Sequence, residues 1–106
     1  MVNQRHIDPD IDLLLRWRAG DSHAGSMLYR RYVDLVDRVL ARKWRDELYQ
    51  EHRQEAFLIA WKDRKPYRGG PVRAYLLGIA YNLFRSDLRK AKRREQLRRH
   101  WLRESR

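Results

Sequence analysis

The chain has 106 residues with 25 Lys and Arg against 14 Asp and Glu, a formal charge of +11. That length suits one domain rather than two, and the absence of cysteine excludes a disulfide framework or a zinc knuckle. No apolar run approaches the ~20 residues of a membrane span, and the opening "MVNQRHIDPD" lacks the layout of a signal peptide, so the reducing cytoplasm is expected.

In chain order, Asp10 is placed to cap a first helix, "IDLLLRWRA", with Ile11, Leu14, Leu15 and Arg18 at helical spacing and Gly20 as its stop. Asp21 or Ser22 then caps a longer helix. Its stripe of Leu28, Tyr32, Leu35, Val36, Val39 and Leu40 is closed by Trp44. A third helix is predicted from about Asp46 to Lys62, with Leu48, Phe57, Leu58, Ile59 and Trp61 as its apolar content. After the loop "DRKPYRGG", Pro71 suits the first turn of a fourth helix. Val72, Tyr75, Leu76, Ile79, Leu83 and Leu88 make its inward stripe. That helix is predicted to continue past Arg89 with weak anchoring. The fold class is therefore all-α, a bundle of about four helices with a long basic C-terminal helix. Residues 1–94 form the domain and 95–106 a basic extension.

Charge is uneven. Residues 85–106 hold ten bases and three acids, so +7, against fifteen bases and eleven acids, so +4, in the rest. A polyanion is the natural partner of such an end, and sparse apolar residues favour nucleic acid over a membrane. The four histidines show no ligand spacing, and no nucleophile elbow or phosphate-binding glycine loop is present. Neither an enzyme nor a cofactor or metal site is expected. The loop and fourth helix interleave aromatics with bases, as single-stranded nucleic acid requires, because rings stack on unpaired bases while cations hold phosphates. From spacing alone, a solvated helix face beside an ordinary turn fits equally well.

Four segments together carry a resemblance: "LLLRWRAGD" (13–21), "LYRRYVDLVDRVLAR" (28–42), "QEAFLIAW" (54–61) and "YRGGPVRAYLLGIAYNLFRSDLRKAKRR" (67–94). In order and spacing they resemble the second conserved region of bacterial sigma factors, of the extracytoplasmic-function branch. The resemblance implies a cytoplasmic, nucleoid-associated transcription factor that binds RNA polymerase core and recognises and melts the −10 promoter element through its non-template strand. By that likeness Tyr67, Arg68, Gly69, Gly70, Arg73 and Asn82 are DNA-binding positions, and the basic loop and helix face add Lys65, Arg85 and Arg89 to the DNA-binding set. Tyr67, the glycines and Asn82 would meet a flipped base, the arginines would hold phosphates, and Tyr75 is read as core. Gln54, Glu55 and Leu58 would face the clamp helices of the polymerase largest subunit.

The sequence departs from that family at His52 and Arg53, where a Leu normally precedes the Gln-Glu pair, and at Val72 after Pro71. Family members usually continue into a helix-turn-helix domain, whereas this sequence stops at Arg106. A separate chain carrying such a domain and an anti-sigma factor are the further partners the resemblance implies. Two rival readings stand beside it: a sigma-like decoy that binds only an anti-sigma factor, and a generic basic helical module for nucleic acid.

Overall fold

The computed structural model describes residues 7–43 and 48–104. Four helices follow in order: α1 Asp10–Arg18, α2 Ser22–Lys43, α3 Leu48–Lys62 and α4 Val72–Glu104. Among the described residues there is no strand, and no helix is long and apolar enough to cross a membrane. Trp44 and the expected helix start at Asp46 lie outside the described residues.

The start of α1 differs from the expectation. Pro9, with φ fixed at −62°, already adopts helical geometry, so the helix begins one residue early and Asp10 becomes its first residue. Its capping work passes to Asp8, whose carboxylate accepts the Asp10 N–H at 2.9 Å. The other oxygen of Asp8 accepts the Val72 N–H at 2.8 Å, so one carboxylate serves the N-termini of α1 and α4. Asp10 itself is 3% exposed and accepts hydrogen bonds from Arg31 and Tyr32 of α2. Burial and then the Asp10 carboxylate raise the Tyr32 hydroxyl above its ordinary pKa.

Gly20, at φ +107°, reverses the chain after α1. Asp21 caps α2, its Oδ1 accepting the His23 and Ala24 N–H groups at 3.1 and 3.2 Å. The two helices then touch closely. A Cβ on Gly25 would stand 2.3 Å from the Trp17 indole, so only glycine admits that ring.

The core runs through all four helices, with Leu14, Leu28, Val36, Leu40, Val72 and Leu76 fully buried. The seat of α3 is made by Ala56 and Ala60, small residues that let it approach its neighbours, and by Phe57, whose ring packs on Tyr29 of α2. Leu58, Ile59 and Trp61 of α3 are each more than a third exposed. Trp61 stacks on Trp17 at 6.2 Å and donates its indole N–H to the Trp17 carbonyl. Leu15 and Leu88 also lie outside the stripes assigned to them, both exposed. Leu13 and Leu14 together are the buried pair on α1. Leu88 lies one turn beyond Phe84, the last residue of α4 packed against the core. The 33 residues of α4, about 50 Å at 1.5 Å per residue, supply the larger part of the 74 Å long dimension of the molecule.

Asp8→Ala removes the acceptor of two helix-start N–H groups and should destabilise the fold by about 1–3 kcal/mol, whereas Asp8→Asn should cost less. Urea denaturation followed by circular dichroism measures both; equal stability of Asp8→Ala and the parent chain would contradict the double cap.

Candidate nucleic-acid interface

The loop between α3 and α4 is built on a carboxylate. Asp63 Oδ1 accepts the Lys65 N–H at 3.0 Å, which turns the chain, and Oδ2 accepts the Tyr75 hydroxyl at 2.7 Å, which ties the turn to α4. Farther along, Tyr67 donates its hydroxyl to the Gly70 carbonyl at 3.1 Å, closing the loop on itself. Its ring meets Tyr75 edge-on, with centroids 5.3 Å apart. Gly69 and Gly70 hold φ of +92° and +89°. No atom lies within 4 Å of a Cβ built on either. Their backbone conformation, not crowding inside the chain, is what calls for glycine.

Beneath the loop lies a residue from the other end of the sequence. The Arg18 side chain is 8% exposed and 3.8 Å from Asp63. It donates to the Ala60 carbonyl at 3.0 Å and to the Tyr75 hydroxyl at 2.8 Å. A longer contact of 3.5 Å reaches the Lys65 carbonyl, and the guanidinium carbon lies 5.6 Å from the Tyr75 ring centre. Thus Tyr75 accepts from a cation and donates to an anion. Burial and then the Asp63 carboxylate push its pKa up to about 12. Asp63 is held below its ordinary value, first by the Lys65 N–H and then by the Tyr75 hydroxyl.

These groups surround a cavity of about 710 Å³. Of the residues assigned to DNA binding from the sequence, Lys65, Tyr67, Arg68, Gly69 and Gly70 line its wall, with Arg68 and Lys65 exposed. Tyr75, read as core, is both: half-buried against the core and lining the cavity. Arg18 and Asp63 also line it, and sequence reasoning missed both as site residues. The signal was present for Arg18, a cation inside the apolar spacing of α1. Arg73 is exposed on the first turn of α4 but is not part of the wall. Asn82, Arg85 and Arg89 are exposed farther along α4. Asn82 is seven residues beyond Tyr75, hence on the same face and about 10 Å along the axis.

On α3, Gln54, Glu55 and Leu58 are exposed on one face, Leu58 at 45%. Glu55 and Leu58, with Ile59 and Lys62, border a shallow groove that ends at Asp63 and Lys65. Of the two departures from the sigma-factor pattern, His52 lies 3.7 Å from Glu55 Oε2 within α3, and Arg53 turns toward α2. Arg53 Nε lies 3.2 Å from Asp37 Oδ1 of α2, an ion-pair distance without the alignment of a hydrogen bond. Its Nη1 reaches the Tyr29 hydroxyl at 3.4 Å. Arg53 therefore braces α3 on α2 through polar contacts. Among the described residues no group of three or more His, Asp or Glu side chains could hold a metal ion.

The family model described as Sigma-70 region 2 matches residues 28–94. No match is found among curated proteins or among solved structures.

Because the Asp63 pKa is lowered in the fold, its stabilising effect is complete above its ordinary value of 3.8 and is lost as pH falls below it. Asp63→Asn should flatten that part of the acid-unfolding curve. Tyr75→Phe, which deletes the hydroxyl between Arg18 and Asp63, should cost about 1–2 kcal/mol in urea denaturation at neutral pH.

Proposed function

The chain belongs to the sigma-70 region 2 family, whose domains bind RNA polymerase and recognise the −10 element, and from this we propose how its own residues divide that work. The cavity beside Gly69 and Gly70 takes one unstacked base of the non-template strand. The observation that carries this reading is the cavity itself: it is open, walled by two tyrosines, rimmed by Lys65 and Arg68, and continuous with the basic face of α4. Extruding a base costs a few kcal/mol, and an aromatic wall with nearby cations offsets that cost. Tyr67 and the Gly69–Gly70 backbone form the seat. Asn82, with a donor and an acceptor on one amide, contacts a base edge next to the cavity. Arg68, Arg73, Arg85 and Arg89 hold phosphates and carry no sequence information.

Gln54, Glu55 and Leu58 form the face toward polymerase. A carboxylate beside an exposed leucine suits a partner surface that offers arginine around an apolar contact. The reading involves no catalytic step, consistent with a domain family that acts in transcription without being an enzyme. It places the chain in the bacterial cytoplasm on the nucleoid, as one of the extracytoplasmic-function branch. The domain boundary at residue 94 falls inside α4, so the basic extension would be the continuation of the same helix.

Two sets of variants test this division by fluorescence anisotropy with core polymerase and −10-like single strands. Asn82→Ala should lose about 1–3 kcal/mol on the preferred strand and flatten discrimination at one position. Arg73→Ala and Arg85→Ala should weaken all strands alike and reduce the salt slope by about one charge each. A uniform loss with Asn82→Ala would remove the base-reading role. Separately, replacing Gln54 and Glu55 together by Ala should weaken capture by core polymerase at unchanged stability, since both are exposed and surface changes cost within about 0.5 kcal/mol.

A further inference from the structure

The apolar residues at the far end of the chain are sparse in the sequence, and α4 gathers them on one side. At 3.6 residues per turn, Leu88, Ala91, Leu97, Trp101 and Leu102 all fall on one half of the helix. That half is centred on the line of Leu76 and Ala80, which are buried in the bundle. Farther along, the same side is open to water: Leu97 is 51% exposed, Leu102 58% and Trp101 68%. Among the large hydrophobic residues described, only Ile7 is more exposed than these three. The other half of the helix holds only polar residues from Arg89 onward, Lys92, Gln96, Arg99 and Arg103 among them.

Residues 89–104 hold eight bases and two acids, so +6 in all, and the cations are not confined to the polar half. Lys90, Arg94 and Arg98 stand within the apolar half itself, all exposed. Glu95 bonds Arg98 and Arg99, at 3.2 and 3.3 Å. This mixture decides between occupants. A protein helix packed on the apolar half would bury Arg94 and Arg98, and each would then need a carboxylate opposite it. A nucleic-acid backbone satisfies the cations and leaves Leu97, Trp101 and Leu102 in water. An anionic lipid surface accommodates both kinds of residue. Arginine and lysine stems lie along apolar surface while their charged heads reach the lipid phosphates, and tryptophan settles at the headgroup level.

We infer that residues 88–104 of α4 form an interfacial helix that docks on an anionic lipid surface. Leu97, Trp101 and Leu102 enter the boundary between headgroups and acyl chains, and Lys90, Arg94 and Arg98 pair with lipid phosphates. Binding of this kind adds buried apolar area to charge attraction, and this segment supplies both. It begins beyond Phe84, the last residue of α4 packed against the core, so laying it on a bilayer disturbs no packing of the bundle. The helix lies on the surface and does not cross it, as its charge requires. The inference does not rest on the base-seating proposal, because neither the cavity nor the face assigned to polymerase takes part.

The test uses the full chain and vesicles of phosphatidylglycerol and phosphatidylcholine in equal parts, with pure phosphatidylcholine as the control, read by co-sedimentation. The parent chain should bind the anionic vesicles, and the neutral ones about tenfold more weakly or less still. Replacing Leu97, Trp101 and Leu102 together by Gln keeps every charge. It should lower vesicle affinity about 100-fold and leave affinity for a 20-base-pair duplex unchanged within about twofold. Replacing Lys90, Arg94 and Arg98 by Gln should lower vesicle affinity about fivefold per cation. Unaltered vesicle binding by the first variant would leave diffuse charge as the cause and overturn the docked helix, as would an equal loss on the duplex. A parent dimer in sedimentation velocity that the first variant dissolves would give the apolar half to a second copy, and overturn the choice of lipid. Trp101→Phe keeps an apolar ring at the contact and serves as an independent arm. Brominated acyl chains should quench the tryptophan fluorescence of the parent more than that of Trp101→Phe at similar binding. Equal quenching would mean that another part of the chain meets the lipid, and would overturn the assignment to this helix.

Discussion

One buried guanidinium organises the site. Arg18 sits almost out of water between α1, the end of α3, the loop and α4, and its donors are spent on the Ala60 and Lys65 carbonyls and the Tyr75 hydroxyl. A charge in that position is tolerated only when paired and hydrogen-bonded, and Asp63 completes the set by accepting from both the loop and Tyr75. The cavity wall is thus fixed by a polar network rather than by apolar packing alone. Such a network rigidifies when all its members are satisfied and fails when one is removed. That is a fitting support for a loop whose two glycines supply no side-chain contacts of their own.

The first helix has a larger part than its nine residues suggest. It lies before residue 28, where the match to the family model begins, yet it contributes Arg18 to the cavity and Trp17 to the packing against Gly25 and Trp61. The Asp8 carboxylate that starts α1 also starts α4. Displacing α1 would therefore release the first turn of α4 and the floor of the cavity together. The two arms of this coupling reach the site from opposite sides: Asp8 through the backbone of Val72, Arg18 through the side chain of Tyr75.

Charge is distributed in two ways along the molecule. In the bundle several cations have carboxylates nearby: Arg16 with Asp12 and Asp21, Arg18 with Asp63, Arg31 with Asp10, Arg53 with Asp37. Pairs of this kind hold elements together and contribute little long-range field. Past the bundle, α4 carries an excess that its few acids do not balance, and the excess is exposed. The same residue type therefore joins elements at one end and stays exposed and unbalanced at the other, and the difference is set by whether an acid is within reach.

Much of this was legible in the sequence. The four helices, the Gly20 and Gly69–Gly70 breaks, the Asp21 cap and the basic end follow from local rules: apolar spacing, the backbone needs of glycine and proline, and formal charge. Lys65, Tyr67, Arg68 and the two glycines were adjacent in the chain, and so they stayed together in the fold. What the tertiary structure decided was each contact made across long separations. Arg18 meets Ala60 across 42 positions and Tyr75 across 57, and Asp8 meets Val72 across 64. No periodicity encodes such pairs. Asp10 looked like a cap because capping is a local pattern, and it became a buried acceptor because Pro9 started the helix early and α2 supplied Arg31 and Tyr32. Leu88 looked like core because it kept the stripe of α4, and it is exposed because it lies beyond Phe84, the last residue of α4 packed against the core. Sequence fixes which faces a helix has, but only the packed chain fixes how far along the helix a partner extends.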